Sequence, residues 1–406
     1  MSLHRFEVHI ELGGTTVPLG SAEVEDRRGR TVRSEFRYAP EYLALPRRPA
    51  LDLATGLGAA RYVTSEVPRG LDDAGPDGWG KRLVLRANRG RTPTSTDYLL
   101  AVDDLTRMGA LRLRTDASGP FLSPSHQVPN LVQLDDLARA ARAVETDTDD
   151  LDAVRRLVDA GSASLGGARP KASVSDGTRL MIAKFASTDD EIEVVAWEKL
   201  CLDLAARAGI EVPPSRLMPV GRTRCLLLDR FDRTRSGRVP YLSGFALTDA
   251  PYPDSGDYLD LAEALAEIDV DDLPGTLRQL WRRIAFSIAM RNTDDHLKNH
   301  GVLWSNTGWR LSPAFDITPN PIGGVDRATA IDGERMPARE ARALIGLADE
   351  FGIPEAQWRP IVADVLGATS GWPAHAAELG LPEADVRRLE RVLTEAQGRL
   401  ADASGL

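Results

Sequence analysis

Between Gly161 and Leu228 the sequence runs loop, strand, helix, strand, and few architectures accept that order. Residues 161–171, G-S-A-S-L-G-G-A-R-P-K, are mostly small and form a loop. The pattern predicts a strand over residues 179–186 and a helix over residues 191–208. In that helix Val194, Trp197, Cys201, Leu204 and Ala208 fall on one face at steps of three and four. Gly209 and the prolines of V-P-P at 212–214 stop it, as a C-cap glycine followed by prolines should. Residues 225–228 read as a buried strand, so the centre of the chain is α+β.

The flanking regions differ from it. Residues 1–25 read as short strands, alternating over F-E-V-H-I-E-L and turning at G-G-T-T. A helix is expected over 79–88 and short strands over 99–102 and 109–114. Residues 116–130 are rich in Pro, Ser and Gly with little periodicity and are read as a linker. Helices are expected over 131–145 and 151–160, with the acidic loop E-T-D-T-D-D between them. Beyond residue 235 the pattern is mainly helical. Residues 277–290 carry a stripe of Leu277, Trp281, Ile284 and Ile288, and S-N-T-G joins strands 301–304 and 309–312 into a hairpin. Three parts are expected: a β-rich subdomain with its linker (1–130), a central part (131–235) and a helical C-terminal lobe (236–406).

Composition narrows the function classes. Fifty basic and 60 acidic side chains leave a formal charge of −10, which excludes a chain that is basic overall and binds nucleic acid through bulk charge. Two cysteines, Cys201 and Cys225, make no disulfide framework and match no metal spacing, and both are read as buried thiols of a cytosolic protein. The N-terminus lacks an apolar signal core, and no run reaches the roughly 18 apolar residues of a membrane span. A cytoplasmic protein without membrane contact is expected.

Phosphoryl transfer needs backbone amides around phosphates, a cation on them, a metal site and a carboxylate near the acceptor hydroxyl. Candidates for each occur in order. The loop at 164–171 is small enough for its amides to approach phosphate oxygens. Lys184 lies inside an apolar strand and needs a partner or a wet cleft. Glu198 has Val194 and Leu202 one turn away on either side, so it needs a cation, for which Lys184 is the natural choice. The bland alternatives are a snorkelling lysine and a solvated helix position. Asp294, His296 and Asn299 follow a long amphipathic helix, and Asp316 follows a strand. One carboxylate base, an amide oxygen and a second carboxylate suit a hard cation on ATP phosphates. Asx-rich runs after helices also serve as caps and turns, which keeps Asp294 and Asp295 open to that reading.

Together these residues resemble the HipA family of serine/threonine kinases, toxins of bacterial toxin–antitoxin pairs. The match is spread along the chain: S-L-G-G-A-R-P-K-A (164–172), I-A-K-F (182–185), the helix and its exit at 197–213, L-L-L-D-R-F-D-R (226–233), N-T-D-D-H-L-K-N (292–299) and R-L-S-P-A-F-D-I (310–317). D-G-W-G-K-R (77–82) and residues 98–114 also fit. The resemblance implies a two-lobed protein-kinase-like fold, with a β-rich N-terminal subdomain and a mainly helical C-terminal lobe, using ATP and Mg²⁺. Ser164, Leu165, Gly166, Gly167, Ala168, Arg169, Lys171 and Lys184 would surround the phosphates, with Glu198 behind Lys184. Asp229 and Phe231 would flank the adenine. Asp294 would be the catalytic base, with His296 and Lys298 beside the transferred phosphate, and Asn299 and Asp316 would hold the metal. Ser164 takes the position of an autophosphorylated serine, with Ser162 as a second acceptor. The implied partners are a translation-related protein substrate and a small helix-turn-helix antitoxin, through which alone the chain would meet DNA.

The metal aspartate sits in F-D-I, and the run D-x-H-x-x-N resembles the catalytic loop of phosphoinositide kinases more than H-R-D, so a protein hydroxyl is the favoured acceptor and a small-molecule hydroxyl the alternative. Arg169 and Pro170 stand where relatives often carry polar residues. Two decoys are set aside. G-P-D-G-W-G-K (75–81) lacks the Ser or Thr that a P-loop needs after its lysine, and no buried strand feeds it. His296 and His300 lack the glutamate of H-E-x-x-H. The competing class is a corepressor that docks an antitoxin on DNA with little kinase activity.

Overall fold

The computed structural model describes residues 2–88, 91–122, 128–147, 150–248, 250 and 256–406. Residues 123–127 of the expected linker and 148–149 of the acidic loop lie outside the described residues. The chain forms two compact units, residues 1–189 with 218–242, and residues 190–217 with 243–406.

The first unit begins with a meander of β1 (Ser2–Leu12), β2 (Thr15–Arg27) and β3 (Arg30–Tyr38), longer than the short strands expected. The β1–β2 turn is Gly13-Gly14, both at positive φ, which side-chain-bearing residues resist. β4 (Tyr62–Thr64) adds beside β3 and β5 (Leu111–Arg114) beside β1, giving an antiparallel sheet in the order β4-β3-β2-β1-β5. Alternation buries Phe6, Val8 and Ile10 of β1 against Leu19, Val24 and Phe36. Residues 99–102, expected as a strand, instead end a helix, Ser95–Leu100. Thr94 Oγ1 accepts from Asp97 N at 3.1 Å while Asp97 Oδ2 accepts from Thr94 N at 2.9 Å. This capping box outweighs the local apolar run.

A second sheet contains β6 (Lys171–Ser175), β7 (Leu180–Phe185), β8 (Ser215–Val220) and β9 (Thr223–Asp229) in the order β6-β7-β9-β8. One face, with Ala172, Val174, Met181, Ala183, Phe185, Cys225 and Leu227, packs on the helices Leu134–Thr146 and Leu151–Asp159 and on Trp79 and Leu83. The period of two therefore puts Lys171, Ser173, Ile182, Lys184, Leu226 and Leu228 on the other face.

The second unit is mainly helical, with Val194–Arg207, Tyr258–Glu267, Leu273–Ala289, Glu340–Gly346, Glu355–Ser370, Trp372–Glu378 and Glu383–Ser404. The first of these starts later than its apolar pattern suggests, because Asp385 accepts from Glu193 N at 2.8 Å and from Trp197 Nε1 at 3.4 Å. The helix Leu273–Ala289 starts earlier than expected, capped by Asp272, with proline in its first turn. The expected hairpin forms from Gly301–Ser305 and Gly308–Leu311.

The helix Gly78–Ala87 approaches the loop at 161–168 closely enough to exclude side chains. A Cβ on Gly80 would lie 2.7 Å from the Ala163 carbonyl oxygen and 2.9 Å from that of Leu165. Gly80→Ala should therefore cost about 1–3 kcal/mol through forced backbone shifts. Gly346→Ala, with nothing within 4 Å of its added carbon, should be neutral or stabilise by up to about 1 kcal/mol. Urea unfolding of the two variants checks the contrast.

Candidate active site

In the first unit the small-residue loop opens with Gly161 at φ +69° and a 3-10 turn, Ser162–Ser164. Ser164 is 4% exposed, and its Oγ donates to the Gly161 carbonyl at 2.6 Å. Leu165 points inward, while Gly166 and Ala168 are exposed and Gly167 takes φ +78°. Trp79 N donates to the Gly167 carbonyl at 2.7 Å and Arg82 donates to that of Ala168. The near-P-loop at 75–81 is thus a helix start, capped by Asp77 (2.9 Å from Gly78 N), that supports the loop.

Behind the loop, Lys171 and Lys184 are directly paired across β6 and β7, and are only 5% and 7% exposed. Like charges so placed repel. Two buried lysines share one sheet face, and each has further interactions within the protein. Ser173, two residues along the same face, has a buried hydroxyl with no hydrogen-bond partner. Arg169 is half-buried at the loop's end.

At the end of β9, Asp229 pairs with Arg179 at 2.8 Å, and beyond it the Phe231 ring lies 6.0 Å from that of Tyr241. Arg230, Asp232 and Arg233 form an ion cluster that sequence reasoning missed. Asp232 is fully buried; it accepts from Arg230 Nε and Nη2 at 2.7 and 2.6 Å, from Arg233 Nη1 at 2.8 Å and from Gly109 N at 2.7 Å. Burial pushes its carboxyl up, but the Arg230 and Arg233 charges outweigh that and hold it well below the usual carboxylate range. Arg230 also donates to the Thr106 carbonyl at 2.9 Å, tying the segment after β9 to residues 105–109. Only the alternating charges of R-F-D-R hinted at it.

In the second unit the helix Leu273–Ala289 gives way to Arg291 at φ +57°, which turns the chain into residues 292–300. The adjacent aspartates then part. Asp294 is exposed, and its Oδ1 lies 2.8 Å from His296 Nε2. Asn299 Nδ2 donates to the Asp294 carbonyl at 3.2 Å, so the amide oxygen is the atom left to serve a cation. Lys298 Nζ sits 5.2 Å from the centre of the Phe245 ring. Asp316 follows the hairpin at φ +55°, a strained conformation for a residue with a side chain. Glu198 is 3% exposed on the helix Val194–Arg207, which excludes a solvated position.

Asp295 points inward. It accepts from Tyr258 Oη and lies 3.1 Å from His300 Nε2. Burial pushes its carboxyl up, but the His300 charge and the hydrogen bonds from His300 and Tyr258 outweigh this and hold it at about 2. A cavity of about 20 Å³, room for one water, lies among Arg283, Asn292, Asp295, Asn299 and His300. No spacing rule connects Asp295 to Tyr258, so this cluster was invisible in the sequence.

No group of three or more His, Cys, Asp or Glu side chains among the described residues stands ready to hold a metal. Of the expected metal ligands, Asn299 offers an amide oxygen and Asp316 a carboxylate, the oxygen donors that a hard cation such as Mg²⁺ takes.

The α+β fold, with its lysine-bearing antiparallel sheet and its helical unit carrying the aspartates, is the two-lobed protein-kinase-like fold. Residues 163–372, more than half of the chain, match the model of the HipA-like C-terminal domain, and the chain belongs to the HipA family. Among solved structures, a chain of the Shewanella oneidensis MR-1 toxin–antitoxin complex of HipA, HipB and operator DNA matches with a TM-score of 0.72 at 15% identity, over 99% of this chain and 98% of that one. The Helicobacter pylori proinflammatory kinase CtkA matches with a TM-score of 0.43 at 12% identity, over 59% of this chain and 91% of that one. No curated protein matches. No described helix is long and apolar enough to cross a membrane.

Removing Asp232 strands two guanidiniums in the protein interior. Asp232→Ala should destabilise the fold by about 3–5 kcal/mol. Asp229→Ala, at the exposed pair with Arg179, should cost less than about 1 kcal/mol. Urea unfolding distinguishes them.

Proposed function

We propose that this chain is a HipA-like serine/threonine-protein kinase that transfers the γ-phosphoryl group of ATP to a protein hydroxyl, with Mg²⁺ as cofactor. The observation that carries the reading is the pair Lys171 and Lys184, buried side by side on one sheet face next to a glycine loop. Family membership and the strained Asp316 support it.

In this reading the amides of residues 165–168, with Lys171 and Lys184, hold the phosphates, and Glu198 orients Lys184. Backbone groups near Asp229 and the Phe231 ring hold the adenine. Asp294 takes the proton of the acceptor hydroxyl, with His296 keeping its carboxylate in place and Lys298 near the transferred group. Asn299 and Asp316 hold the cation, which neutralises charge on the phosphates. The domain roles follow: residues 1–130 as an accessory subdomain, 131–235 as the ATP-loop part and 236–406 as the catalytic lobe.

Ser164 is the site of self-inactivation, with Ser162 as a second acceptor. Because Ser164 is buried and bonded to Gly161, its phosphorylation opens the turn, and the added charge then repels ATP. The chain acts in the cytoplasm as the toxin of a toxin–antitoxin pair whose substrate is a translation-related protein. Its partner is a small helix-turn-helix antitoxin, a reading supported by the Shewanella assembly of HipA, HipB and operator DNA. With a net charge of −10, this chain meets DNA only through that partner.

Calorimetric titration with ATP tests the nucleotide site. Binding by the wild type should tighten with Mg²⁺. Lys184→Met and Ser164→Asp should each weaken it about tenfold or more, as expected for a lost or opposed charge-assisted contact. Asp316→Asn should abolish the Mg²⁺ effect. Equal affinity in all four proteins would end the proposal.

A further inference from the structure

The catalytic run is held from inside by a buried polar network that none of the assigned roles uses. Asp295 anchors the run at three points: Oδ2 accepts from Tyr258 Oη, Oδ1 lies 3.1 Å from His300 Nε2, and its carbonyl accepts from Thr329 Oγ1 at 2.7 Å. The Tyr258 ring meets the His300 ring edge-on, with centres 5.5 Å apart. Arg327, 2% exposed, then joins this anchor to the scaffold. It donates to Tyr258 Oη at 3.1 Å, to Ser287 Oγ at 3.1 Å, to the Thr329 carbonyl at 2.8 Å and to Glu340 at 2.7 Å. Ser287 Oγ in turn donates to the Asn292 carbonyl at 2.9 Å, and Ala328 N to that of Thr293 at 2.8 Å. Three helices, Tyr258–Glu267, Leu273–Ala289 and Glu340–Gly346, are thereby fastened to residues 292–300.

We infer that Tyr258, Asp295 and Arg327 are positioning residues for phosphoryl transfer. They fix the backbone of residues 292–300 so that Asp294 projects outward while Asn299 turns its amide oxygen to the cation. The inference rests on the kinase reading above. The physical basis is the division between neighbours in the chain. With the Asp295 side chain pinned inside, the Asp294 side chain must leave on the opposite side, and the Asn299 bond to the Asp294 carbonyl fixes the second group relative to the first. Misplacement of a catalytic group by about 1 Å is enough to slow a reaction about a hundredfold.

Tyr258→Phe tests this by removing one hydroxyl and keeping the ring. Transfer of phosphate should slow about tenfold to a hundredfold, the effect of a hydrogen bond to a charged group. KM for ATP should change much less than kcat, because no group assigned to the nucleotide is removed. Asp295→Asn should give the same split between kcat and KM, and the double variant should be no slower than the slower single one, as expected of groups acting as a unit. An unchanged kcat, or a fall in kcat matched by loss of folded protein, would overturn the inference. Amide hydrogen exchange on the full chain gives a readout independent of activity. Tyr258→Phe should speed exchange in residues 292–300 and leave the helix Leu273–Ala289 unchanged. If the wild type transfers no phosphate, the kinase reading fails, and equal exchange in residues 292–300 of wild type and variant then overturns the positioning role separately.

Discussion

A buried carboxylate needs partners, and in the second unit that requirement organises everything around Asp295. Its oxygens are met by Tyr258 and His300, and Arg327 closes the set against Glu340, Ser287 and Thr329. Desolvating so many charges at once is costly, and only near-complete satisfaction makes the arrangement tolerable. The result is order in a stretch whose one regular element is the 3-10 turn Leu297–Asn299: residues 292–300 are fixed from their inner side. The exposed groups of the run, Asp294 and His296, inherit that order.

The first unit solves a related problem with small residues. Glycines at 78 and 80 let a helix lie directly on the carbonyls of residues 163–167, so a loop rich in small residues is braced instead of slack. Next to it, two lysines share one sheet face, a placement the sheet accepts because an apolar cluster on the opposite face secures the strands. Asp232 and its arginines tie the segment after β9 to the N-terminal sheet region, which makes residues 105–109 part of the support of the adenine candidate.

Much of this was legible in the sequence, and the exceptions have physical causes. Period and stop signals placed the central strand and helix, because Lys184 stands out in an apolar run and Gly209 with its prolines ends a stripe. The family motifs gave the two-lobed fold and drew attention to residues 292–299 and 316. The helix Ser95–Leu100 was missed because its cap, Thr94 with Asp97, lies outside the apolar run that suggested a strand. The buried networks were missed for a different reason. Asp295 meets Tyr258 across 37 residues, and Arg327 meets Tyr258 across 69, so no local pattern encodes either contact. In the sequence, the pair Asp294-Asp295 also fits a capping role. The structure gives the two aspartates opposite environments, which composition alone does not reveal.

The central claim is that this chain moves phosphate with Asp294 as base. The purified protein should be incubated with Mg²⁺ and γ-labelled ATP beside Asp294→Asn, and the peptide carrying Ser162 and Ser164 analysed by mass spectrometry before and after. Label on Ser164 in the wild type and none in the variant is the predicted result. A wild-type peptide unmodified at both times, with no label anywhere in the protein, would contradict the account and leave the fold serving a binding role.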